Sequence, residues 1–586
     1  MSVRSVALAA LVAAVEVASQ DVVVDIPSTL SPRPLVPDVY GYSIEPIWVN
    51  DYVSTPFANT LLSAIKDVTG KPPGIRVGGN TADQTYFHPT LSTGNASVAI
   101  PDLLTTKIFN ITPSWYDGWA NYFPSDTELI YTLNLGVNTS NWANAVAEAS
   151  AAYTALGSKL TLFELGNEID HFIKKSWRDP SWNVATYLEQ FRNLSGQIVG
   201  SEWYKSAKAP PKFQSGVFAD PPWVPDQQDE IDDFSIENLT LAETAADREV
   251  VGTYATHLYP QSTCDGPRWL RMRLDLLSNH TTLWLNVSQY APQAAAAEAA
   301  GSHLVMGETN SVSCGGKSGI SDTFGAALWG ADYVLTGATI GIRKTYFHLG
   351  GQSEYSAFTP KGYVLKNETL GAGIRANWYG HYFIAKVVAA ARGEELSVAA
   401  LPGANSSDLS GFAVYSGSGA KNATKGELKK LVFLDMGVWN GTQGLANNST
   451  LKATDGTFFS QGARPNATIT VATPWAAGSK VGVTRLTGPG TNAKSGVAVS
   501  GVTFDARTGK KVGQEVVETL QVGQNGALVI SVRRAEGVLL EIGGASNGTS
   551  GSGSGGHTSP EISGASGKGM MAWTALLMGA DEKSKK

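Results

Sequence analysis

The sequence predicts an α/β protein, a (β/α)8 TIM barrel followed by a C-terminal all-β sandwich domain. Three observations predict it. Between Val39 and His348, eight short apolar runs alternate with helix-like segments, the pattern of parallel strands joined by crossover helices. Two of these runs end in glycine followed closely by glutamate, at Gly166-Asn167-Glu168 and at Gly307-Glu308. Past about Arg375 the character changes to short strand-like runs separated by Gly, Asn, Ser and Pro, which reads as antiparallel β.

Residues 1–19 are expected to be a secretory signal peptide. Arg4 supplies the positive n-region and Val6–Val15 the apolar h-region. Val17 and Ser19 fit the small-residue rule and place cleavage after Ser19. The stretch is too short to span a bilayer, so no transmembrane span is expected. About fifteen Asn-x-Ser/Thr sequons follow, among them Asn95, Asn110, Asn138, Asn238, Asn286, Asn422 and Asn466. Together these predict a secreted, extracellular glycoprotein of the kind found at cell walls.

Residues 20–35 hold one strand, Asp21–Ile26, and a linker punctuated by Pro27, Pro32 and Pro34. That strand has no barrel partner and is expected to join the sandwich. Residues 36–392 form the predicted catalytic barrel. Its strands are expected at Val39–Ile44, Gly74–Val77, Glu128–Leu135, Leu160–Leu165, Lys212–Phe218, Gly252–Tyr259, His303–Gly307 and Arg343–His348. Helices are expected at Thr55–Thr69, Ser140–Leu156, Val184–Val199 and Asp322–Thr336, with a last one at Trp378–Arg392. Residues 393–543 are the sandwich domain, carrying LVFLDM, ATITVAT, ALVISV and GVLLEI. Residues 544–586 are a Gly/Ser-rich flexible tail. Met570–Ala580 is apolar, but DEKSKK follows it, whereas a lipid-anchor signal ends in its hydrophobic segment.

Net charge is −7 and the pI about 5.7, and no basic run or stripe is present. A nucleic-acid partner is not expected. The 15 Trp and 20 Tyr include candidates for stacking on sugar faces, though most belong in a core. In an oxidising compartment the two cysteines, Cys264 and Cys314, are expected to form one disulfide; the alternative is two buried thiols. C-x-x-C and H-E-x-x-H patterns are absent from the sequence, so neither a metal nor a cofactor is expected.

A single Glu after a strand is commonly a solvated loop residue or a helix cap. Two in the same context point to chemistry. The spacing from Glu168 to Glu308 accommodates three βα units of roughly 30–50 residues each. The two then end strands four and seven on one face of the barrel. Cleaving a glycosidic bond needs an acid for the leaving oxygen and a carboxylate for the anomeric carbon. With about 5–5.5 Å between the carboxyls, the second attacks directly and configuration is retained. Their environments are expected to push the pKa values apart, leaving one protonated and one ionised. Asn167 is a candidate donor to a sugar hydroxyl. His257 and Tyr259 end strand six beside strand seven, and Tyr259 is a candidate donor to Glu308.

The GNE and GETNS strings resemble the retaining, barrel-type glycoside hydrolases. Longer strings are more specific: ETNSVSCGG at Glu308–Gly316, SDTFGAALW at Ser321–Trp329, SIEPIW at Ser43–Trp48 and RVGGNTADQTYF at Arg76–Phe87. With these the chain resembles glycoside hydrolase family 79, which holds β-glucuronidases and heparanase. The resemblance implies that Glu168 is the acid/base and Glu308 the nucleophile. It implies that Asn167 and Glu45 bind the sugar in the −1 subsite. It also implies that amides of the Cys314-Gly315-Gly316 loop, with Tyr355, bind the glucuronate carboxylate. Glycine amides can approach an anion closely, and a Cys264–Cys314 bridge would rigidify that loop. One departure matters. Heparanase has a lysine just after its second-strand Gly-Gly, where this chain reads Gly78-Gly79-Asn80-Thr81. A net acidic chain also repels a polysulfated glycan.

The expected function is a retaining exo-β-glucuronidase. Its substrate would be terminal β-linked glucuronate, with 4-O-methyl-glucuronate a candidate, on glycans such as arabinogalactan side chains. Three alternatives stay open. These are a heparanase-like endo-β-glucuronidase, a barrel glycosidase for neutral sugars, and a non-catalytic cell-surface glycan-binding protein. The last would be marked by loss of one glutamate, and both are present.

Overall fold

The computed structural model describes residues 20–90, 108–136, 142–222, 233–265, 268, 271–350, 353–365, 368–417, 426–442 and 460–543. The expected leader 1–19, the tail 544–586 and the sequons at Asn95, Asn138 and Asn422 lie outside the described residues. Eight parallel strands close into a barrel in sequential order. They are β1 (Tyr40–Ile44), β2 (Gly74–Val77), β3 (Leu129–Leu133), β4 (Leu160–Leu165), β5 (Lys212–Phe218), β6 (Val251–Leu258), β7 (Leu304–Thr309) and β8 (Ile342–His348). β8 pairs back onto β1, with Thr345 opposite Tyr40 and His348 opposite Ser43.

β7 runs two residues past the expected Gly307, so Glu308 lies within the strand. The register against β6 shifts between Thr256 and His257, after which His257 pairs with Glu308. A shift of this kind re-aims side chains at a barrel rim.

The helices follow from their apolar stripes and caps. α1 (Phe57–Thr69) buries Phe57, Leu61, Leu62 and Ile65 and stops at Gly70, whose φ is 76°. α2 (Ala143–Leu156) and α3 (Val184–Gly200) cover the barrel beside β4. α3 opens on a capping box between Asn183 and Thr186. α4 (Phe324–Ile340) is buried on nearly every face. α5 (Asn377–Val388) ends earlier than expected. There Lys430 Nζ donates to the carbonyls of Lys386 and Ala389 at 3.2 and 2.6 Å, closing the helix from outside. Among the described residues no helix is long and apolar enough to cross a membrane.

The C-terminal region is two packed antiparallel layers. The larger contains β9 (Leu396–Asn405), β10 (Leu409–Ser416), β11 (Glu427–Asp435), β13 (Lys480–Thr487) and β15 (Glu536–Ile542); the smaller pairs β12 (Asn466–Ala472) with β14 (Ala527–Arg533). Gln20–Val24 runs parallel to β12 in the smaller layer. Arg33–Leu35, inside the stretch read as linker, adds an edge strand to the larger layer through β9. Pro34 is tolerated there because an edge strand can leave one side of its backbone unpaired.

The larger sheet is buried on both faces. Ala413, Leu431, Phe433, Val538 and Leu540 face the smaller sheet across one core. Their neighbours Phe412, Val414, Val432, Leu434 and Leu539 join the barrel's core. That is why these strands read as near-continuous apolar runs and not as an alternation.

Candidate active site

Glu308 sits on β7 with both carboxylate oxygens engaged. The Tyr259 hydroxyl donates to Oε1 at 2.8 Å, and Arg76 Nη1 donates to Oε2 at 2.8 Å. His348 Nδ1 lies 3.6 Å from Oε2. Burial alone would raise this carboxyl's pKa, but the nearby His348, His257 and Arg76 outweigh it and hold the group below the usual range. Burial also pushes the His348 imidazole down, so Arg76 is the permanent positive charge beside Glu308. Tyr259 thus meets Glu308 as the sequence suggested.

Glu168 lies three residues past the end of β4. Gly166, at φ 82°, makes the turn, and a Cβ there would meet Ile169 at 2.8 Å. Glu168 itself takes the left-handed conformation at φ 50° and ψ 56°, an uncommon state for a non-glycine residue that recurs at functional sites. Its Oε1 is 3.3 Å from His257 Nδ1, and its Oε2 is 3.6 Å from His171 Nδ1. Carboxylate oxygens of Glu168 and Glu308 and a ring nitrogen of His257 all lie within 4.8 Å of one another.

The expected split of the two pKa values is not what the free site has. Burial raises the Glu168 carboxyl, but the neighbouring His171 and His257 imidazoles override it and take the group well below the usual range. Both carboxyls are therefore pushed down. The His171 imidazole is raised to about 10, against burial, by Asp220 and Glu168.

Asn167 is buried. Its side-chain oxygen accepts from Arg76 Nη2 at 2.7 Å, and its backbone N–H donates to Asp83 Oδ2 at 2.8 Å. Asn167 Nδ2 and His257 Nε2 are both buried without a protein partner among the described residues. Unmatched buried donors and acceptors are rare, and these two stand beside the carboxylates, where a sugar hydroxyl could satisfy them.

Glu45 follows β1 and is held by the β2 loop. It accepts from the N–H groups of Asn80 and Thr81 at 3.1 and 2.9 Å and from the Thr81 hydroxyl. Burial pushes its carboxyl up to about 7, despite the Thr81 bonds, and the Glu308 charge adds to the rise. Gly79, at φ 127°, is required here, because a Cβ would stand 2.6 Å from the Glu45 carboxyl carbon.

Cys264 and Cys314 form the disulfide, which excludes the two-thiol alternative. Beside it, Gln261–Ser262 and Val312–Ser313 pair as a short parallel ladder. The bridge thus ties the loop after β6 to the loop after β7. Cys314, Gly315 and Gly316 all have positive φ, at 60°, 93° and 83°. The turn packs tightly on the segment after β8: the Glu354 N–H donates to Gly315 O at 2.6 Å, and a Cβ on Gly316 would lie 2.6 Å from Tyr355 N. The Tyr355 ring stands 6.1 Å from that of Tyr259 and 6.0 Å from that of His348. Gly315, Gly316 and Tyr355 are therefore brought together, on the Tyr259 and His348 side of Glu308.

Sequence reasoning missed the residue at the centre of the site. Arg76 on β2 is fully buried. Its guanidinium reaches Glu164 (Nε–Oε1 3.0 Å), Ser43 Oγ (2.9 Å), Asn167 and Glu308. Glu164, two strands over on β4 and equally buried, also accepts from Thr132 Oγ1 at 2.6 Å and from Gln214. A polar network thus forms a floor beneath the two carboxylates. The signal was present: an Arg in the buried run Gly-Ile-Arg-Val and a Glu in Leu-Phe-Glu-Leu must be paired to be buried at all. Asp83 was also missed. It accepts from the N–H groups of Leu135, Gly136 and Asn167 at 2.8–2.9 Å, pinning the β3 and β4 loops together. Burial pushes it up to about 6. A second cluster, Asp170, His171 and Asp220, lies behind Glu168. Its groups bond to one another, to backbone N–H groups and to Lys174.

Residues 411–539 match the family description "Glycosyl hydrolase family 79 C-terminal beta domain". The chain is 27% identical over 452 residues to a β-glucuronidase of Neurospora crassa, covering 72% of this chain and 77% of that one. It is 27% identical over 535 residues to a β-glucuronidase of Aspergillus niger, covering 87% and 91%. Among solved structures it is similar to a 4-O-α-L-rhamnosyl-β-D-glucuronidase from Fusarium oxysporum, with a TM-score of 0.68, 25% identity, and coverage of 89% of this chain and 99% of that one. A family 51 α-L-arabinofuranosidase from Thermotoga petrophila, at 13% identity and a TM-score of 0.54 over 89% and 100% of the two chains, shares the fold.

Proposed function

We propose, for a chain that belongs to glycoside hydrolase family 79, that it is a retaining exo-β-glucuronidase with Glu168 as acid/base and Glu308 as nucleophile. The observation that carries this reading is the approach of the Glu168 and Glu308 carboxylate oxygens to within 4.8 Å. That approach favours direct attack by one carboxylate, as in retaining pairs about 5–5.5 Å apart, over the about 6.5–9.5 Å spacing of inverting pairs. Glu308 attacks the anomeric carbon as an ionised group, held so by Arg76 and Tyr259. Glu168 protonates the leaving oxygen and then takes a proton from the water that hydrolyses the glycosyl ester. Asn167 Nδ2 and Glu45 hold sugar hydroxyls. The Gly315–Gly316 turn with Tyr355 receives the carboxylate of the sugar.

Glucuronate as the substrate is supported by the β-glucuronidases among the relatives. Exo action is proposed because the neutral Asn80-Thr81 pair after Gly78-Gly79 and the net charge of −7 do not suit a polysulfated polymer. Secretion, with residues 1–19 as leader, accompanies this reading and accords with the disulfide.

The test is a matched aryl panel of β-glucuronide, β-glucoside, β-xyloside and α-arabinofuranoside. Turnover of the glucuronide alone is expected. Turnover of a neutral glycoside without the glucuronide overturns the carboxylate pocket. Glu308→Gln is expected to abolish turnover with every leaving group. Glu168→Gln is expected to spare activated phenolates and to lose poor leaving groups; equal losses in both classes overturn the acid assignment.

A further inference from the structure

We propose that His171 and Asp220 are positioning residues that store the acid proton of Glu168, so that the proton used in glycosidic cleavage rests on the His171 imidazole between turnovers. This rests on the reading of Glu168 as acid/base and goes beyond it by naming where that residue's proton comes from.

The geometry is a line of three groups. His171 lies on the short turn that follows Glu168, and its backbone N–H donates to Glu168 O at 2.9 Å, which sets the two side chains on one face. Nδ1 points at Glu168 Oε2 across 3.6 Å, and Nε2 meets Asp220 Oδ1 at 2.9 Å. Asp220 comes from the loop after β5, and that loop is stapled to the turn. The N–H groups of Ala219 and Asp220 both donate to Asp170 Oδ2 at 2.8 Å. Lys174 Nζ holds the other Asp220 oxygen at 3.3 Å. His257 on β6 touches the opposite oxygen of Glu168, but its second nitrogen has no protein partner among the described residues. His171 is the imidazole with a carboxylate behind it.

The charges facing this line come from four elements. Glu168, Asp170, Lys174 and Lys175 lie on the turn and the segment after it, Asp220 on the β5 loop, His257 on β6 and Glu308 on β7. Burial opposes ionisation of Asp220, yet His171 and Lys174 outweigh it and hold the carboxyl at about 2. An imidazole between two carboxylates keeps a proton more firmly than either of them does. A contact of 3.6 Å is an ion pair and not yet a hydrogen bond; such catalytic contacts tighten when substrate closes the site.

When a sugar excludes water from Glu168, its charged form loses solvation. The proton then crosses from His171 Nδ1 to Glu168, leaving a neutral imidazole whose Nε2–H stays on Asp220. Glu168 gives that proton to the glycosidic oxygen as the C–O bond breaks. In the second half it takes one from the attacking water and returns it to His171. No proton is gained or lost by the protein over the cycle.

The experiment is the pH dependence of kcat/KM for wild type, Asp220→Asn and His171→Gln on aryl β-glucuronides with a poor and an activated leaving group. Glu168→Gln is run beside them. The Glu168–His171 pair holds one proton up to an alkaline limit that Asp220 sets. Both variants are therefore expected to bring the alkaline limb for the poor leaving group down by about one pH unit or more. The limb for the activated leaving group is expected to move less, because it needs little protonation. Variants with wild-type melting temperatures whose alkaline limbs superimpose on wild type overturn the proposal while leaving Glu168 as the acid. Equal losses for both leaving groups in Glu168→Gln overturn the acid assignment, and the relay with it. Two variants on separate elements keep the outcome independent of the folding of either.

Discussion

Tyr259→Phe isolates one hydrogen bond to the proposed nucleophile. The hydroxyl donates to Glu308 Oε1 at 2.8 Å, while Arg76 serves Oε2. Phenylalanine keeps the ring and removes only this donor, leaving a buried carboxylate oxygen without it. A hydrogen bond to a charged group contributes about 1.5–3 kcal/mol. At about 1.36 kcal/mol per pKa unit, its loss raises the Glu308 carboxyl by about 1–2 units. Glu308 is held below its ordinary value in the native site, and it attacks only when ionised. Activity is therefore present above its pKa and lost as pH falls through it. Raising that pKa moves the acid limb of kcat/KM upward by about 1–2 pH units. The assay is kcat/KM against pH on an activated aryl β-glucuronide, where protonation of the leaving group is not limiting. A uniform loss at every pH, with the acid limb unmoved, would refute the reasoning. It would mean that Tyr259 places the carboxylate without stabilising its charge.

Three other expectations follow from buried groups. Arg76→Lys keeps the charge but loses the fork that spans Glu164, Asn167 and Glu308. With two charge-assisted bonds of about 1.5–3 kcal/mol each at stake, kcat/KM should fall at least about 100-fold; near-wild-type kinetics on the aryl panel would contradict this. Glu148 on α2 is fully buried, with the Tyr131 hydroxyl on Oε1 at 2.7 Å and no partner on Oε2 among the described residues. Burial pushes it from 4.5 up to about 8. Its stabilising contribution is complete below the unfolded value and is lost as pH rises to about 8, up to about 5 kcal/mol in all. Glu148→Gln should flatten the melting temperature against pH over that window, and an unchanged slope would exclude the assignment. Replacing both Cys264 and Cys314 with Ser opens a link between residues 50 apart and should cost about 2–4 kcal/mol in urea unfolding. KM for the glucuronide should rise as the Gly315–Gly316 turn loosens. Unaltered stability and KM together would dismiss a rigidifying role for the bridge.

The sequence by itself determined the architecture and marked the two glutamates that the site brings together. Strand identity is a local property: an apolar run, a breaker and a length. Leu160–Leu165 and Lys212–Phe218 therefore stand where their residues place them. The Gly-Asn-Glu and Gly-Glu endings are equally local, and they marked Glu168 and Glu308. What local pattern cannot carry is which side chains meet. Arg76 reads as one charge in an apolar strand until barrel closure brings Glu164, Asn167 and Glu308 around it. Arg33–Leu35 reads as Pro-rich linker until β9 offers it an edge.

The protonation pattern depends on the same closure. Two glutamates of opposite role suggest opposite pKa shifts. Instead His171 and His257 pull the Glu168 carboxyl below the usual range, and His348, His257 and Arg76 pull Glu308 down. Periodicity and breakers act within a few residues along the chain. Electrostatics and hydrogen bonding act within a few ångströms in space, and only the tertiary structure decides who those neighbours are.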